Sequence, residues 1–201
     1  MKPILLDLPM PITTPRLLIR PPQIGDGSML NAAVIESFDT LKLYMPWANE
    51  RPSLEDSEEV VRREAAHWIL KPKTDPELML LILERNSHNL IGATGYHNID
   101  WDIPSVETGY WIRNKYAGCG LMTEAVNAIT QYAFKVLNAK RIAITCDIDN
   151  IKSKKIPERL GYSLEATLKF HRIKPLTNEV SDTLLYARYN LADLPDLKVT
   201  W

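Results

Sequence analysis

Cysteine is scarce in this chain, which has only Cys119 and Cys146 among its 201 residues. Two cysteines cannot build the framework of bridges that holds small secreted proteins together, so the sequence predicts a reducing, cytoplasmic location. No stretch reaches the ~18 consecutive apolar residues of a membrane-spanning helix, and the residues before Ile12 lack a secretory apolar core. We therefore expect a cytoplasmic protein without a membrane partner.

An excess of charge of either sign is also lacking. The chain has 24 Lys and Arg against 25 Asp and Glu, which gives a formal net charge of −1. A general nucleic-acid binder would need a basic excess or patch, so no nucleic-acid partner is expected. Hydrophobic residues make up 45% of the chain and charged residues 24%, as in ordinary folded proteins. The length predicts a single domain over residues 1–201.

Hydrophobic periodicity predicts elements in the order β-α-α-β-β-β-α-β-α-β-β. The predicted strands are 16–20, 78–84, 90–97, 106–112, 141–147, 163–168 and 181–189, and the predicted helices are 24–37, 121–137 and 150–160. A further helix is capped by Ser53 and Asp56 and runs to about Leu70. Hairpins mixed with crossover helices predict an α+β fold with a mixed sheet.

The most informative segment is the loop Gly118-Cys119-Gly120, which precedes the longest predicted helix. Glycine permits tight turns and close approach of a ligand, and the first turn of a helix offers free N–H groups to an anion. A pyrophosphate fits such a loop, although a glycine turn required only by packing would look the same. The loop is not a P-loop, because no Lys-Ser or Lys-Thr follows, and it lacks the third glycine of a dinucleotide fingerprint.

The spacing of this loop matches the pattern [QR]-x-x-G-x-[GA]. Together with four other segments, this loop makes the chain resemble the GCN5-related N-acetyltransferases (GNAT), in particular the RimJ/RimL branch. The four segments are 14–20, 44–47 with 53–56, 107–112, and Asn150-x-x-Ser153 with 160–165. The resemblance covers about residues 14–189. It implies a mixed, mostly antiparallel central sheet flanked by helices, with the fourth and fifth strands splayed apart.

The resemblance also implies that acetyl-CoA, the cosubstrate, lies between the splayed strands. Its implied contacts are the backbone of Trp111, Ile112 and Arg113 for pantetheine, the N–H groups of Tyr116, Ala117, Gly118, Cys119, Gly120 and Leu121 for pyrophosphate, and Asn150 and Ser153 near the thioester. Lys115 replaces the leading Gln or Arg of the pattern, which keeps a positive charge but loses the forked geometry of arginine. Lys154, Lys155 or Arg159 could meet the 3′-phosphate or simply form a solvated face.

The reaction implied is direct attack of a neutral amine on the thioester, which requires a base and a partner for the departing thiolate. Glu107, an acid in an apolar strand, is the first candidate base, since desolvation would raise its pKa; a solvent-facing or salt-bridged role is the alternative. His171 and, more weakly, Asp182 are the other candidate bases. Ser153 is the candidate thiolate partner, because Pro157 occupies the position where many members have a tyrosine acid. Tyr162 is assigned to the core.

The acceptor is expected to be an amine, either the N-terminus of a ribosomal-type protein or a small molecule. Four side chains could line its pocket or pack in the core: Tyr44, Met45, Trp47 and Trp101. The histidines lack metal-ligand spacing, so no metal is expected, and direct attack needs no acyl-enzyme on Cys119. A CoA-binding module without turnover is the alternative function, a structural protein without a CoA site comes third, and a homodimer would suit the family.

Overall fold

Eight strands form a single sheet in the computed structural model, which describes residues 2–201. The strands are β1 (Ile12–Thr13), β2 (Leu17–Arg20), β3 (Leu78–Glu84), β4 (Leu90–Asp100), β5 (Ser105–Ile112), β6 (Arg141–Asp147), β7 (Ser163–Ile173) and β8 (Val180–Arg188). The helices are α1 (Gly27–Leu41), α2 (Leu54–Leu70), α3 (Leu121–Lys135) and α4 (Ile151–Arg159), with short 3₁₀ turns at Pro3–Leu5 and Asn114–Tyr116.

This order confirms the predicted one, with β1 as the addition. Sequence patterns did not reveal β1 because two residues are too short to show a period of two; pairing with β2 and with Thr200 creates it. The predicted cap of α2 is present: the Asp56 N–H donates to Ser53 Oγ at 3.0 Å, and the Ser53 N–H donates to Asp56 Oδ2 at 2.9 Å.

The sheet has the strand order β1-β2-β3-β4-β5-β6-β8-β7, and every pair is antiparallel except β5 with β6. A parallel pair needs a long crossover connection, and α3 supplies it. The expected mixed, mostly antiparallel α+β sheet is therefore confirmed. The expected fourth and fifth strands are β5 and β6, because β1 adds one to the count.

Helices cover both faces of the sheet. One cluster joins α1 and Val61 of α2 to Leu81, Leu83 and Ala93, while the larger cluster joins α3 and α4 to the opposite face of the sheet. Coverage on both sides explains why β3 is an uninterrupted apolar run. No helix within residues 2–201 is long and apolar enough to cross a membrane.

Candidate active site

A gap opens in the sheet where β5 and β6 separate. The two strands pair only from Ser105 to Glu107, against Arg141 to Ala143, so the rest of β5 has no neighbour on that edge. The Arg113 N–H donates to the Ile91 carbonyl at 2.8 Å and thus points toward β4.

Backbone groups alternate in direction along an antiparallel strand, so those of Ile112 and Tyr110 face the gap. The expectation that Trp111, Ile112 and Arg113 all present backbone groups there is wrong for Trp111 and Arg113, whose backbone groups face β4, and holds for Ile112. The Arg113 side chain also turns away, toward Glu36 on α1 and the Leu90 carbonyl.

The glycine loop lies at the start of α3, as predicted. Gly118 and Gly120 have φ values of +80° and +76°, which side-chain-bearing residues rarely adopt. The N–H groups of Tyr116 and Ala117 donate to the carbonyls of Arg113 and Asn114, and these bonds form the 3₁₀ turn Asn114–Tyr116. The N–H groups from Gly118 to Leu121 have no acceptor within residues 2–201, so four of the six expected donors are free for an anion.

Arg16 fixes this loop from the start of β2. Its Nε donates to Glu124 Oε2 at 2.6 Å, and its Nη1 donates to the Cys119 carbonyl at 3.0 Å. The guanidinium is half exposed, which leaves a cation beside the free N–H groups. Sequence reasoning missed this residue, because Arg16 and Glu124 are 108 positions apart and no local pattern joins them.

The other basic residues that could contact the phosphates of acetyl-CoA are mostly exposed to solvent. Lys115 is exposed, and its Nζ lies 5.0 Å from the centroid of the Tyr116 ring. On α4, Lys155 and Arg159 are exposed and Lys154 is half-buried. Cys119 is exposed in the glycine loop, and its thiol lies 3.7 Å from the Ala117 carbonyl.

The start of α4 lies beside the tyrosine of β5. Asn150 caps the helix, its Oδ1 accepting the Ser153 N–H at 3.1 Å, so its Nδ2 donor remains for a ligand. The Tyr110 hydroxyl donates to the Ser153 carbonyl at 3.0 Å and accepts from Ser153 Oγ at 3.3 Å. Burial raises the pKa of Tyr110 above its usual range, so the phenol stays protonated. Sequence reasoning overlooked Tyr110 as a partner of Ser153.

Two residues named in the sequence analysis are buried. Pro157 is buried inside α4 and offers no hydroxyl to the site. As predicted, Tyr162 belongs to the core: it is 5% exposed, and its hydroxyl lies 2.6 Å from Thr130 Oγ1.

Burial raises the pKa of Cys146, whose thiol lies near Ser153, to about 11.

Glu107 lies at the point where β5 and β6 begin to separate, and it pairs with His97. Glu107 Oε1 accepts from Thr145 Oγ1 at 2.6 Å and lies 3.4 Å from His97 Nε2, while Oε2 accepts from Asn98 Nδ2 at 3.1 Å. Burial alone would raise the pKa, but the bonds from His97, Thr145 and Asn98 outweigh it and lower the pKa to about 2. The expectation of a raised pKa at Glu107 is therefore wrong, since that argument counted desolvation without donors.

A cavity of about 790 Å³ lies over β3, β4 and β5 on the side of α1 and α2. Its wall includes Met45, Trp47, Tyr110, Trp111 and His97. Met45 and Trp47 thus lie where the acceptor was expected. Tyr44 instead lines a separate hollow beside Lys174, and Trp101 packs against the larger core cluster.

The other candidate bases lie away from this cavity. His171 is exposed on β7, the outermost strand, and its Nδ1 lies 3.2 Å from Thr183 Oγ1. Asp182 is held by Lys169, whose Nζ donates at 2.7 Å, and by the Phe170 N–H. The structure therefore brings Glu107 together with His97, and Ser153 together with Tyr110, but brings neither His171 nor Asp182 to them.

Comparison with known proteins fits this architecture. A family model described as the acetyltransferase (GNAT) domain matches residues 16–163. The chain belongs to the GNAT family. Its reaction is therefore transfer of an acetyl group from acetyl-CoA to an amine, and the resemblance seen in the sequence is confirmed.

Individual relatives of this GNAT chain include ribosomal-protein acetyltransferases. It is 27% identical to the ribosomal-protein-serine acetyltransferase of Escherichia coli (strain K12) over 137 residues, 68% of this chain and 74% of that protein. It is 38% identical to YdaF of Bacillus subtilis (strain 168) over 74 residues, 37% of this chain and 40% of that relative. The latter match thus spans less than half of YdaF.

A solved structure of RimL, a ribosomal L7/L12 alpha-N-protein acetyltransferase in complex with coenzyme A, shares the fold. Its TM-score is 0.78 at 22% identity, over 92% of this chain and 99% of that chain.

Proposed function

We propose that this GNAT enzyme acetylates the N-terminal amine of a protein of ribosomal type, with small-molecule primary amines as the second acceptor class. The observation that carries the proposal is the arrangement of the gap. On one side lie the free N–H groups of the glycine loop, Asn150 and Ser153; on the other lies a cavity that ends at the same strand, β5. Two relatives are named for protein N-terminal or ribosomal-protein substrates, which supports this acceptor class.

Acetyl-CoA supplies the activated acetyl group, and the residues around the gap fit it. The N–H groups from Gly118 to Leu121 suit the pyrophosphate because they are free and stand at a helix N-terminus. Arg16 adds positive charge beside them, and Lys115 adds another exposed cation just before the loop. The outward backbone groups of Tyr110 and Ile112, with the Nδ2 donor of Asn150, suit the amides of pantetheine.

His97 is the proposed base, and Glu107 is its positioning residue. A carboxylate with a pKa of about 2 holds a proton poorly at neutral pH, so Glu107 fits the role of a fixed anion. The imidazole of His97 lines the cavity and lies 3.4 Å from that anion. An imidazole beside a carboxylate can accept the proton of an incoming ammonium while the carboxylate stabilises the resulting positive charge.

Ser153 and Tyr110 are proposed to stabilise the departing thiolate. Their hydroxyls lie 3.3 Å apart at the start of α4, where the resemblance implies the sulfur of acetyl-CoA. The Ser153 Oγ–H can turn from Tyr110 toward the sulfur, and the Tyr110 O–H can then turn from the Ser153 carbonyl to donate to the serine Oγ. The pair would thus do the work of the tyrosine that Pro157 replaces.

Part of the proposal is a cytoplasmic location. The two free cysteines, Cys119 exposed and Cys146 buried, support it, since exposed free thiols persist in reducing compartments.

The first test is a thermal-shift titration with acetyl-CoA and CoA, beside ATP and NAD as controls. Saturable stabilisation by acetyl-CoA and CoA alone is expected. Acetyl transfer is then measured by mass spectrometry on peptides with free and blocked N-termini and on small amines. Stabilisation by CoA without acetyl transfer to any acceptor would support the alternative, a CoA-binding module without turnover. No stabilisation at millimolar CoA would overturn the proposal.

A further inference from the structure

The cavity that reaches β5 is acidic at its other end. Five carboxylates line it, against two guanidinium groups; the carboxylates are those of Glu50, Asp56, Glu64, Asp75 and Glu77. Glu64, Asp75 and Glu77 come from α2 and from the segment that leads into β3. The acidic end is therefore on the side of the cavity remote from the gap.

The two guanidinium groups do not neutralise this end. Arg51 lies over the Phe38 ring, 4.9 Å from its centroid, and 3.9 Å from Asp39, which lies outside the cavity wall. Arg63 Nε donates to Glu64 Oε1 at 3.2 Å, but its side chain is 53% exposed to water. Water screens the exposed guanidinium, so this pair only partly offsets the charge of the buried Glu64 carboxylate.

Glu64 is the feature that points to a ligand. The residue is only 2% exposed, and its Oε2 has no hydrogen-bond donor within residues 2–201. The ring nitrogen His67 Nδ1 lies 3.5 Å from that oxygen, and it also lacks a hydrogen-bond partner within residues 2–201. Burial and the nearby charge of Glu77 raise the pKa of Glu64. A carboxylate buried in a cavity wall without sufficient donors is stabilised when a cation enters the cavity.

An aromatic pair lines the same cavity. The rings of Trp47 and Trp111 lie 6.2 Å apart at an angle of 57°, and Trp47 is half exposed. Tryptophan faces attract ammonium groups and also cover aliphatic chains. The wall between β5 and the acidic end thus suits a chain of methylene groups that carries positive charge.

The sheet sets the distance between the two ends. Met79 of β3, Gly95 of β4 and Gly109 of β5 face one another across three adjacent strands. Two strand spacings correspond to roughly 10 Å. Glu77 precedes β3 by one residue, and Tyr110 follows Gly109, so an acceptor that reaches from the gap to the acidic end spans about that length.

We propose that the end of the cavity formed by Glu64 and Glu77 binds a second cationic group of the acceptor, so that the substrate class is an amine with another positive charge roughly 10 Å from the reacting nitrogen. This inference rests on the proposed function, because it takes the reacting amine to lie at the gap. A polyamine and a protein N-terminus followed by a basic side chain share this chemistry.

The test measures binding separately from turnover. Calorimetric titrations in the presence of CoA, which carries no acetyl group to transfer, compare 1,8-diaminooctane with octylamine, and a Ser-Lys peptide with a Ser-Gln peptide. The diamine and the Ser-Lys peptide are each expected to bind at least tenfold more tightly than their neutral-tailed partners. A gain for the diamine alone would identify a small polyamine as the source, and a gain for the peptide alone would identify a basic N-terminus.

Two variants and a matched control locate the effect. Glu64→Gln and Glu77→Gln are expected to remove most of the tenfold preference, with binding of octylamine and CoA unchanged. Glu59→Gln removes the same charge from an exposed position of α2 outside the cavity wall, and should keep the preference. Thermal unfolding of each variant checks that it is folded, and Glu77, which is exposed, tolerates substitution even if Glu64 does not.

Equal affinity of the charged and neutral-tailed ligands, or an unchanged preference in both variants, would overturn the inference. Acetylation of octylamine with no preference for the diamine would leave the proposed function standing. Failure of the proposed function has a different signature, the absence of acetyl transfer to every amine.

Discussion

The Nε2 atom of His97 lies 3.4 Å from Oε1 of Glu107, and the two residues are directly opposite each other on the paired strands β4 and β5. Thr145 and Asn98 hold the same carboxylate from the sides. The carboxylate is therefore fixed and ionised, while the imidazole faces the cavity. A fixed anion behind an imidazole stabilises the positive charge that forms when the imidazole accepts a proton.

Replacement of His97 tests this arrangement. His97→Gln should lower kcat by about 100-fold, because a positioned base contributes about that much, and should leave the KM for acetyl-CoA unchanged. Steady-state kinetics with a saturating acceptor measures both. His171→Gln is the matched control, since that exposed residue on β7 lies outside the cavity wall and should keep full activity. The assignment is wrong if the two variants behave alike.

The low pKa of Glu107 has a consequence for stability. With a pKa of about 2 in the folded protein and about 4.5 when unfolded, the carboxylate stabilises the fold above pH 4.5, and this contribution is lost as the pH falls toward 2. Urea unfolding of the wild type and of Glu107→Gln should therefore differ by up to about 3 kcal/mol at pH 7 and converge near pH 2. A difference in unfolding free energy that stays constant with pH would contradict the lowered pKa.

Tyr110 and Ser153 are expected to act as one unit. Tyr110→Phe and Ser153→Ala should each lower kcat about tenfold with little change in CoA affinity, since each removes one hydroxyl near the thiolate. The double variant should lose little more than either single variant, because the two hydroxyls support each other. Tyr162→Phe is the control: its hydroxyl bonds to Thr130 in the core, so stability should fall while kcat is retained. If the losses of kcat in the two single variants add fully in the double variant, Tyr110 and Ser153 act independently and the prediction is wrong.

The glycine loop offers a matched pair of alanine substitutions. Gly118→Ala should cost about 1 kcal/mol of stability, because alanine disfavours a φ of +80°, and should weaken CoA binding about tenfold as the free N–H groups reorient. Gly25→Ala is the control: its φ is +98°, and at both positions an added Cβ meets nothing within 4 Å. Calorimetric titration with CoA should separate the two variants. Equal CoA affinity in both would show that the loop does not bind the pyrophosphate.

Much of the secondary structure was predictable from local pattern. The bounds of β3 and β6 agree with the predicted strands, because each is an apolar run closed by turn residues or charge. The cap of α2 was predictable from Ser53 and Asp56 three residues apart. The predicted end of β4 was early by three residues, because pairing of Asp100 with Ser105 extends the strand past Asn98.

The candidate site was predictable only in part. The glycine loop, Asn150 and Ser153 lie within short motifs, and the structure places them around one gap. Arg16 with Glu124, and Tyr110 with Ser153, are joined across 108 and 43 positions, so no motif contains both partners. The acidic end of the cavity likewise combines α2 with the segment before β3.

The sequence by itself determined the order of elements, the presence of a glycine loop before α3, and the absence of a hydroxyl at Pro157. These depend on residue type and local spacing. Only the tertiary structure decided that β5 and β6 part after Glu107, that the Arg113 N–H is turned away from the gap, and that Glu107 has a lowered pKa. The physical reason is that strand register determines which donors and charges surround a group, and register is a property of distant segments brought into contact.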